Sequence, residues 1–321
     1  MKAIGIKKFG GRDVLEFLDL PKPTPAKDDV LIRIVASGVN PVDWKIRDGY
    51  LKDDMPHKFP VVLGWEASGV VEEAGAEVNQ FSPGDEVFAY TRQPTISQGT
   101  YAEYIAVPAE QVALKPKRLS FEEAASIPLA GLTAYQALFD AAKVKSGECV
   151  LIHAAAGGVG GFAVQLASNA GATVIGTASR KNHDYVRTLG AKEVIDYTNV
   201  DFRELLRSLF PAGMDVVLDG VGGETLKRSP AVLKRGGRLV SIVWTEGQER
   251  VQAEVEKSGC SYQYVFVAPN SKQLAELAKL ADAGKLRTQI AASFPLENAA
   301  QALRMSEDRH TRGKIVLKVG D

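Results

Sequence analysis

The stretch CVLIHAAAGGVGGFAVQLASNA, residues 149–170, constrains the fold more than any other part of the chain. Residues 149–154 read as a buried strand. Behind them Val159, Phe162, Ala163, Leu166, Ala167 and Ala170 recur at the spacing of one helical face. A strand feeding directly into such a helix is half of a β-α-β unit, and these units build parallel sheets covered on both faces. The turn between them, AAGGVG from Ala155 to Gly160, is the GxGxxG pattern with alanine in first place. Gly157 lets the backbone approach a pyrophosphate, and Gly160 lets the helix pack on the strand. The backbone from Ala156 through Gly157, Gly158, Val159 and Gly160 then presents N–H groups and a partial positive charge to phosphates. Packing turns also use glycine; the position between strand and helix is what points to a dinucleotide.

The second strand bears on which dinucleotide. NAD proteins place an acid about 20 residues past the loop for the adenine ribose. This chain has TVIGTASRKNHDY, with Ser179, Arg180 and Lys181. A hydroxyl and two cations suit a 2′-phosphate, so NADPH is the expected cofactor; the other reading is a solvated strand end.

The same alternation continues through EVIDY, DFRELLRSLF, DVVLDGV, ETLKRSPAVL and RLVSIV, which makes this part an α/β, doubly wound domain. Before about residue 120 the texture differs. Short runs such as VLIRIVASGV, DEVFAY and YAEYIAV are split by PKPTP, NPVD and SPGD, as in an irregular β-barrel. LENAAQALRMSED reads as a helix, and GKIVLKV returns to the first texture. The expected layout is a discontinuous barrel, 1–121 and 287–321, with the doubly wound domain, 122–286, inserted. A length of 321 residues agrees, since one core stops growing at about 250–300.

Composition removes other classes. Lys+Arg 39 balances Asp+Glu 39, so no overall field recruits nucleic acid or acidic lipid, and KPKR at 115–118 reads as a solvated loop. No apolar run approaches the roughly 18 residues of a membrane span, and MKAIGIKKFG lacks the apolar stretch of a signal peptide. Cys149 and Cys260 read as buried thiols in a reducing compartment, so a soluble cytoplasmic protein is expected. GxSxG and GxxxxGK[ST] do not occur, which sets aside a hydrolase elbow and a P-loop.

Taken together, ASGVNPVDWKIRDG (36–49), FPVVLGWEASGVVEEAG (59–75), SPGDEVFA (82–89), GTYAEY (99–104), IPLAGLTAYQAL (127–138), HAAAGGVGG (153–161), DVVLDGVGGE (215–224) and RGKIVL (312–317) span nearly the whole chain. In that order they resemble the zinc-independent branch of the medium-chain dehydrogenase/reductase superfamily, in particular the NADPH:quinone oxidoreductases. The resemblance implies a GroES-like β-barrel catalytic domain beside a Rossmann domain.

It also gives meaning to the break in VVLGWEASGVV (61–71). Zinc alcohol dehydrogenases resembling this chain read GHE where Gly64-Trp65-Glu66 stand, and their His binds zinc. They carry a ligand Cys at the place of Asn40, and a third near 129–131, where this chain has Leu-Ala-Gly. Indole and amide nitrogen have no lone pair for a metal, so Trp65 replaces a ligand and Glu66 is a retained scaffold residue. The resemblance places Asn40 and Thr133 beside the nicotinamide and Tyr197 near the 2′-phosphate. Val221 and Gly222 lie at a strand's carboxyl end, and Phe266 and Val267 would flank the nicotinamide. Tyr50, just past IRDG, is either a proton donor or a rim aromatic; Tyr197, Phe266 and Val267 also have plain packing readings.

Without a Lewis acid a buried alkoxide is hard to stabilise, whereas a quinone or enone takes hydride while its charge spreads to a distant oxygen. Hydride transfer from NADPH to a quinone without zinc is the expected activity. The alternatives are a 2-alkenal, enone or enoyl-thioester reductase, and a non-catalytic NADPH sensor. Finally, GGRLVSIVWTEGQ (236–248) reads as the last strand of the sheet, and an open apolar edge must be covered or paired. Enzymes resembling this one pair that edge across a two-fold axis, so a homodimer with Leu239 to Trp244 at or near the interface is expected. The alternative is an edge covered by residues 249–262.

Overall fold

The computed structural model describes residues 1–320 and divides into two compact units. One comprises Met1–Leu132 and the chain from Ala268 onward; the other is Thr133–Val267.

The inner unit is built on six parallel strands. In hydrogen-bonded order they are Glu193–Ile195, Thr173–Thr177, Cys149–Ile152, Met214–Asp219, Leu233–Ser241 and Ser261–Tyr264. Met214–Asp219 lies between two neighbours and is buried at every residue, which is why its centre, Val216, Val217 and Leu218, is apolar without alternation. Leu151, Ile175, Val217 and Leu239 from the sheet pack with Phe202, Leu206, Val251 and Val255 from the helices into one core. Burial of each such side chain contributes about 1.5–3 kcal/mol.

The strand Leu233–Ser241 is not an edge, which corrects the expectation drawn from 236–248. The chain after it forms the helix Gln248–Lys257 and returns as Ser261–Tyr264, pairing Leu239 with Tyr262 and Ser241 with Tyr264. Leu239 and Val240 are buried inside the unit, and only Trp244, in the loop beyond, is largely exposed. SYQY is short and polar, so it carries no strand signal strong enough to read from sequence.

The outer unit contains a seven-stranded sheet around Asp29–Val39. That strand pairs antiparallel with Glu66–Ala74, with Tyr104–Pro108 and, at its end, with Lys314–Lys318. Glu86–Tyr90 and Val112–Leu114 extend the sheet on one side and Ile290–Pro295 on the other. Val30, Ile32, Ile34, Val71, Val87 and Ile105 fill the barrel interior. A smaller sheet joins Glu16–Asp19, Lys2–Ile6 and Val61–Val62.

The division between units falls at Leu132/Thr133 and Val267/Ala268, whereas the sequence placed it at 121/122 and 286/287. Helices account for the difference. Phe121–Ala125 tucks Ala125 against Ala36 and Val316 of the barrel sheet, and Ser271–Asp282 packs on Val112–Leu114. KPKR also departs from expectation at Lys115. That side chain is buried, donates to the carbonyl of Leu119 at 2.6 Å and pairs with Glu86 at 3.1 Å; only Lys117 and Arg118 are exposed. Both cysteines are half-buried rather than buried.

Candidate active site

In the inner unit the strand Cys149–Ile152 ends one residue before His153, and the helix Gly158–Asn169 starts after Gly157. Ala154 takes a left-handed φ of 52°, an uncommon conformation for a residue with a Cβ, and so turns the chain into the helix. A Cβ on Gly160 would fall 2.2 Å from the Ala154 carbonyl oxygen, so close packing alone requires glycine there. Gly157 is different. Its φ is −77°, and a Cβ on it would meet only the Ala154 carbonyl oxygen, at 3.3 Å, a tight contact that a shift of a few tenths of an ångström would relieve, so packing constrains it far less than Gly160. Its missing side chain leaves the helix without a side-chain cap, with backbone donors available to an anion. A dinucleotide pyrophosphate fits this cradle.

His153 sits directly beneath the loop, 2% exposed. Its Nε2 lies 3.1 Å from Ser229 Oγ and its Nδ1 lies 3.2 Å from Thr177 Oγ1. Ser229 donates its own hydrogen to the Thr225 carbonyl, so it accepts from Nε2–H, and Nδ1 is left as the acceptor from Thr177. That is a neutral imidazole. Burial pushes its pKa down to about 3.

Ser179, Arg180 and Lys181 follow the strand Thr173–Thr177, with Arg180 and Lys181 exposed. Ser179 Oγ accepts from Asn182 at 3.3 Å, and Arg180 reaches His183 Nδ1 at 3.5 Å. Among the described residues neither cation has an acid partner. Tyr197 is exposed in the turn after Glu193–Ile195. Val221 is exposed and Gly222 adopts a φ of 76°; the carboxylate of buried Asp219 accepts both of their N–H groups, at 3.2 and 3.0 Å. Burial raises the Asp219 pKa. Phe266 is exposed and Val267 buried, both beyond Ser261–Tyr264 rather than within it. The loop, Ser179–Lys181, Tyr197, Val221–Gly222 and Phe266–Val267 thus all follow the carboxyl ends of strands of one parallel sheet, where such sheets bind ligands. Thr133 is buried in the helix Pro128–Tyr135.

The outer unit gathers a second group. The antiparallel register that sets Val39 opposite Ile315, together with Ser37 opposite Ala67, brings Asn40, Glu66 and Lys314 together. All three are buried, at 3%, 0% and 5% exposure. Lys314 Nζ donates to Glu66 Oε1 at 2.7 Å, to the Val39 carbonyl at 3.3 Å and to Asn40 Oδ1. Asn40 Nδ2 donates to Glu66 Oε1 at 2.7 Å, and the Leu129 N–H donates to Glu66 Oε2 at 2.6 Å. Gly38 makes room: a Cβ there would lie 2.2 Å from Glu66 Oε1. Asp43 accepts from the Asn40 N–H at 2.7 Å and from Tyr101 Oη at 2.9 Å, while its other oxygen has no partner. Burial pushes the Asp43 carboxyl up to about 7.

Trp65 is 2% exposed and lies edge-on to Tyr90, with ring centroids 6.4 Å apart. The glycine before it turns the chain at a φ of 87°, against the Tyr101 ring. Tyr50 is 67% exposed and touches Trp44 edge-on. Among the described residues no group of three or more His, Cys, Asp or Glu is placed to hold a metal ion. The structure therefore joins Asn40 to Glu66, a pairing the sequence did not indicate, and adds Lys314, His153 and Asp219, which it did not single out. A lysine in the apolar run GKIVLKV was the available signal for the first.

Residues 26–117 match the alcohol dehydrogenase GroES-like domain, and residues 189–317 match a model described as zinc-binding dehydrogenase. The chain is 36% identical to quinone oxidoreductase of Sus scrofa, over 99% of this chain and 97% of that protein. It is 35% identical to the mitochondrial NAD(P)H oxidoreductase RTN4IP1 of Homo sapiens, over 99% and 89%. Among solved structures, the quinone oxidoreductase from Coxiella burnetii is similar at 39% identity and a TM-score of 0.90, covering 100% of this chain and 99% of that one. The Escherichia coli quinone oxidoreductase complexed with NADPH is similar at 30% identity and a TM-score of 0.86, covering 99% and 100%.

Proposed function

Because the chain belongs to the medium-chain dehydrogenase/reductase family, among its quinone oxidoreductases, and is an NAD(P)H-dependent oxidoreductase, we propose that it carries hydride from NADPH to a quinone without zinc. The observation that carries this reading is the composition of the buried cluster. At two of the three positions where zinc-dependent relatives place ligands stand an amide and an indole, and the amide is already bound to Glu66 and Lys314. NADPH, when bound, supplies the hydride. The uncapped helix at Gly157 receives its phosphates, and Ser179, Arg180 and Lys181 recognise the 2′-phosphate. Tyr50, 67% exposed, would be the residue to return a proton. NADPH oxidation measured against a panel of quinones, enones and enoyl thioesters tests the proposal. Turnover with quinones is expected; turnover confined to enones or enoyl thioesters would move the substrate class, and none at all would leave an NADPH-binding protein.

The cofactor preference is expected to depend on Arg180. Arg180→Ala removes a charge-assisted contact and should cost about 1.5–3 kcal/mol of NADPH affinity while NADH affinity stays level. Equal affinity of the unmodified protein for both cofactors, by fluorescence titration, would overturn the assignment. Elemental analysis should find no stoichiometric zinc, and turnover should survive chelation.

We also propose a homodimer in which a two-fold axis pairs the outermost strand of the parallel sheet, Ser261–Tyr264, antiparallel with its copy. Light scattering at micromolar concentration should give twice the chain mass, and a monomer mass would refute it.

A further inference from the structure

We propose that Lys314 is a positioning residue of the reduction site: its ammonium holds the Asn40 amide so that the one N–H Asn40 has left is offered to the acceptor oxygen as negative charge gathers there. The role rests on the reading of the chain as a reductase of conjugated carbonyls.

Counting donors assigns it. An ammonium has three donors and no acceptor. Those of Lys314 go to Glu66 Oε1, the Val39 carbonyl and Asn40 Oδ1, so none remains for a substrate. Lys314 acts through its neighbours. Because it can only donate, the Asn40 oxygen must face it, and Nδ2 must face Glu66, to which it donates at 2.7 Å. The reversed amide would set N–H against ammonium. Glu66 cannot turn to follow a misplaced amide, since the Leu129 N–H holds its second oxygen at 2.6 Å. Of the two N–H groups on Nδ2, one is spent on Glu66 and one is left.

A donor aimed before the reaction stabilises developing charge without reorganising, and such a donor is worth most where water is excluded. Asn40, Glu66 and Lys314 are all buried. In a metal site a cation orders the polar groups around it. Here the buried cation is an ammonium, and its charge is balanced by Glu66.

The test compares four proteins: unmodified, Asn40→Ala, the charge-free pair Lys314→Met with Glu66→Gln, and the combination of all three. The pair removes both charges together, so no lone charge is left buried to unfold the barrel. With the best acceptor from the panel, the pair is expected to lower kcat about 10- to 100-fold. NADPH affinity should change less than about threefold. Asn40→Ala should do the same, and adding it to the pair should cost little more. Denaturant unfolding of the cofactor-free proteins should show the same non-additivity, because the amide and the ammonium hold one another. Full kcat in the folded pair, or losses that multiply, would overturn the role while leaving the reductase reading intact. Absence of turnover in the unmodified protein would instead overturn that reading and this role with it.

Discussion

Glu66→Ala is expected to destabilise the protein by about 3–5 kcal/mol, measured by denaturant unfolding. Among the described residues the alanine removes the one carboxylate paired with Lys314, and it leaves an ammonium 5% exposed. The Asn40 amide and the Leu129 N–H lose an acceptor at the same time. Glu66→Gln should cost less, because one carbonyl oxygen still accepts. Pairing Glu66→Leu with Lys314→Met should recover most of the loss, since two buried charges removed together leave no uncompensated ion. A Glu66→Ala protein as stable as the original would mean that water reaches Lys314.

Acid is expected to weaken the inner unit through His153. Its folded pKa, about 3, lies below the ordinary value of 6.5, so between these limits the unfolded chain binds a proton that the fold refuses. The neutral ring therefore contributes in full above pH 6.5, and that contribution is lost as the pH falls towards 3, to a total of about 4–5 kcal/mol. His153→Gln should lack this slope, so the gap between the two proteins, read from unfolding at a series of pH values, should close on acidification. A gap that stays constant would show that His153 takes up its proton in place. Asp43 works in the opposite sense. Its carboxyl, pushed up to about 7, lets the fold hold a proton that the unfolded chain has released, so the cost of burying it is relieved as the pH falls from 7 towards 4. Asp43→Asn should make the acid slope of the outer unit steeper.

What the sequence disclosed depended on whether a residue's role was local. Gly160 was readable because its constraint, a Cβ 2.2 Å from a carbonyl six residues earlier, recurs wherever a strand turns into a helix over so short a loop. The strand Cys149–Ile152 was readable because burial between two neighbours leaves it continuously apolar. Ser261–Tyr264 escaped because at an edge half its side chains face water, and SYQY then resembles a loop. Lys115 escaped because a buried lysine and a solvated one are the same letter; its partners are two backbone carbonyls and the carboxylate of Glu86, 29 residues away. The partnership of Glu66 with Lys314 spans 248 residues and is set by the pairing of Asp29–Val39 with Lys314–Lys318, a contact no local pattern records.

That separation orders the making of the protein. A ribosome releases Asn40 and Glu66 well before Lys314, and the whole of Thr133–Val267 emerges between them with time to fold. Until the strand Lys314–Lys318 arrives, the strand Asp29–Val39 has an unpaired end beside Asn40. The Glu66 carboxylate has no cation to accompany it out of water. Its desolvation waits on that strand. A nascent or truncated chain that stops short of residue 314 therefore presents a finished nucleotide-binding sheet attached to an open barrel, and it is in this form that the protein is most exposed to proteases and to pairing with other chains.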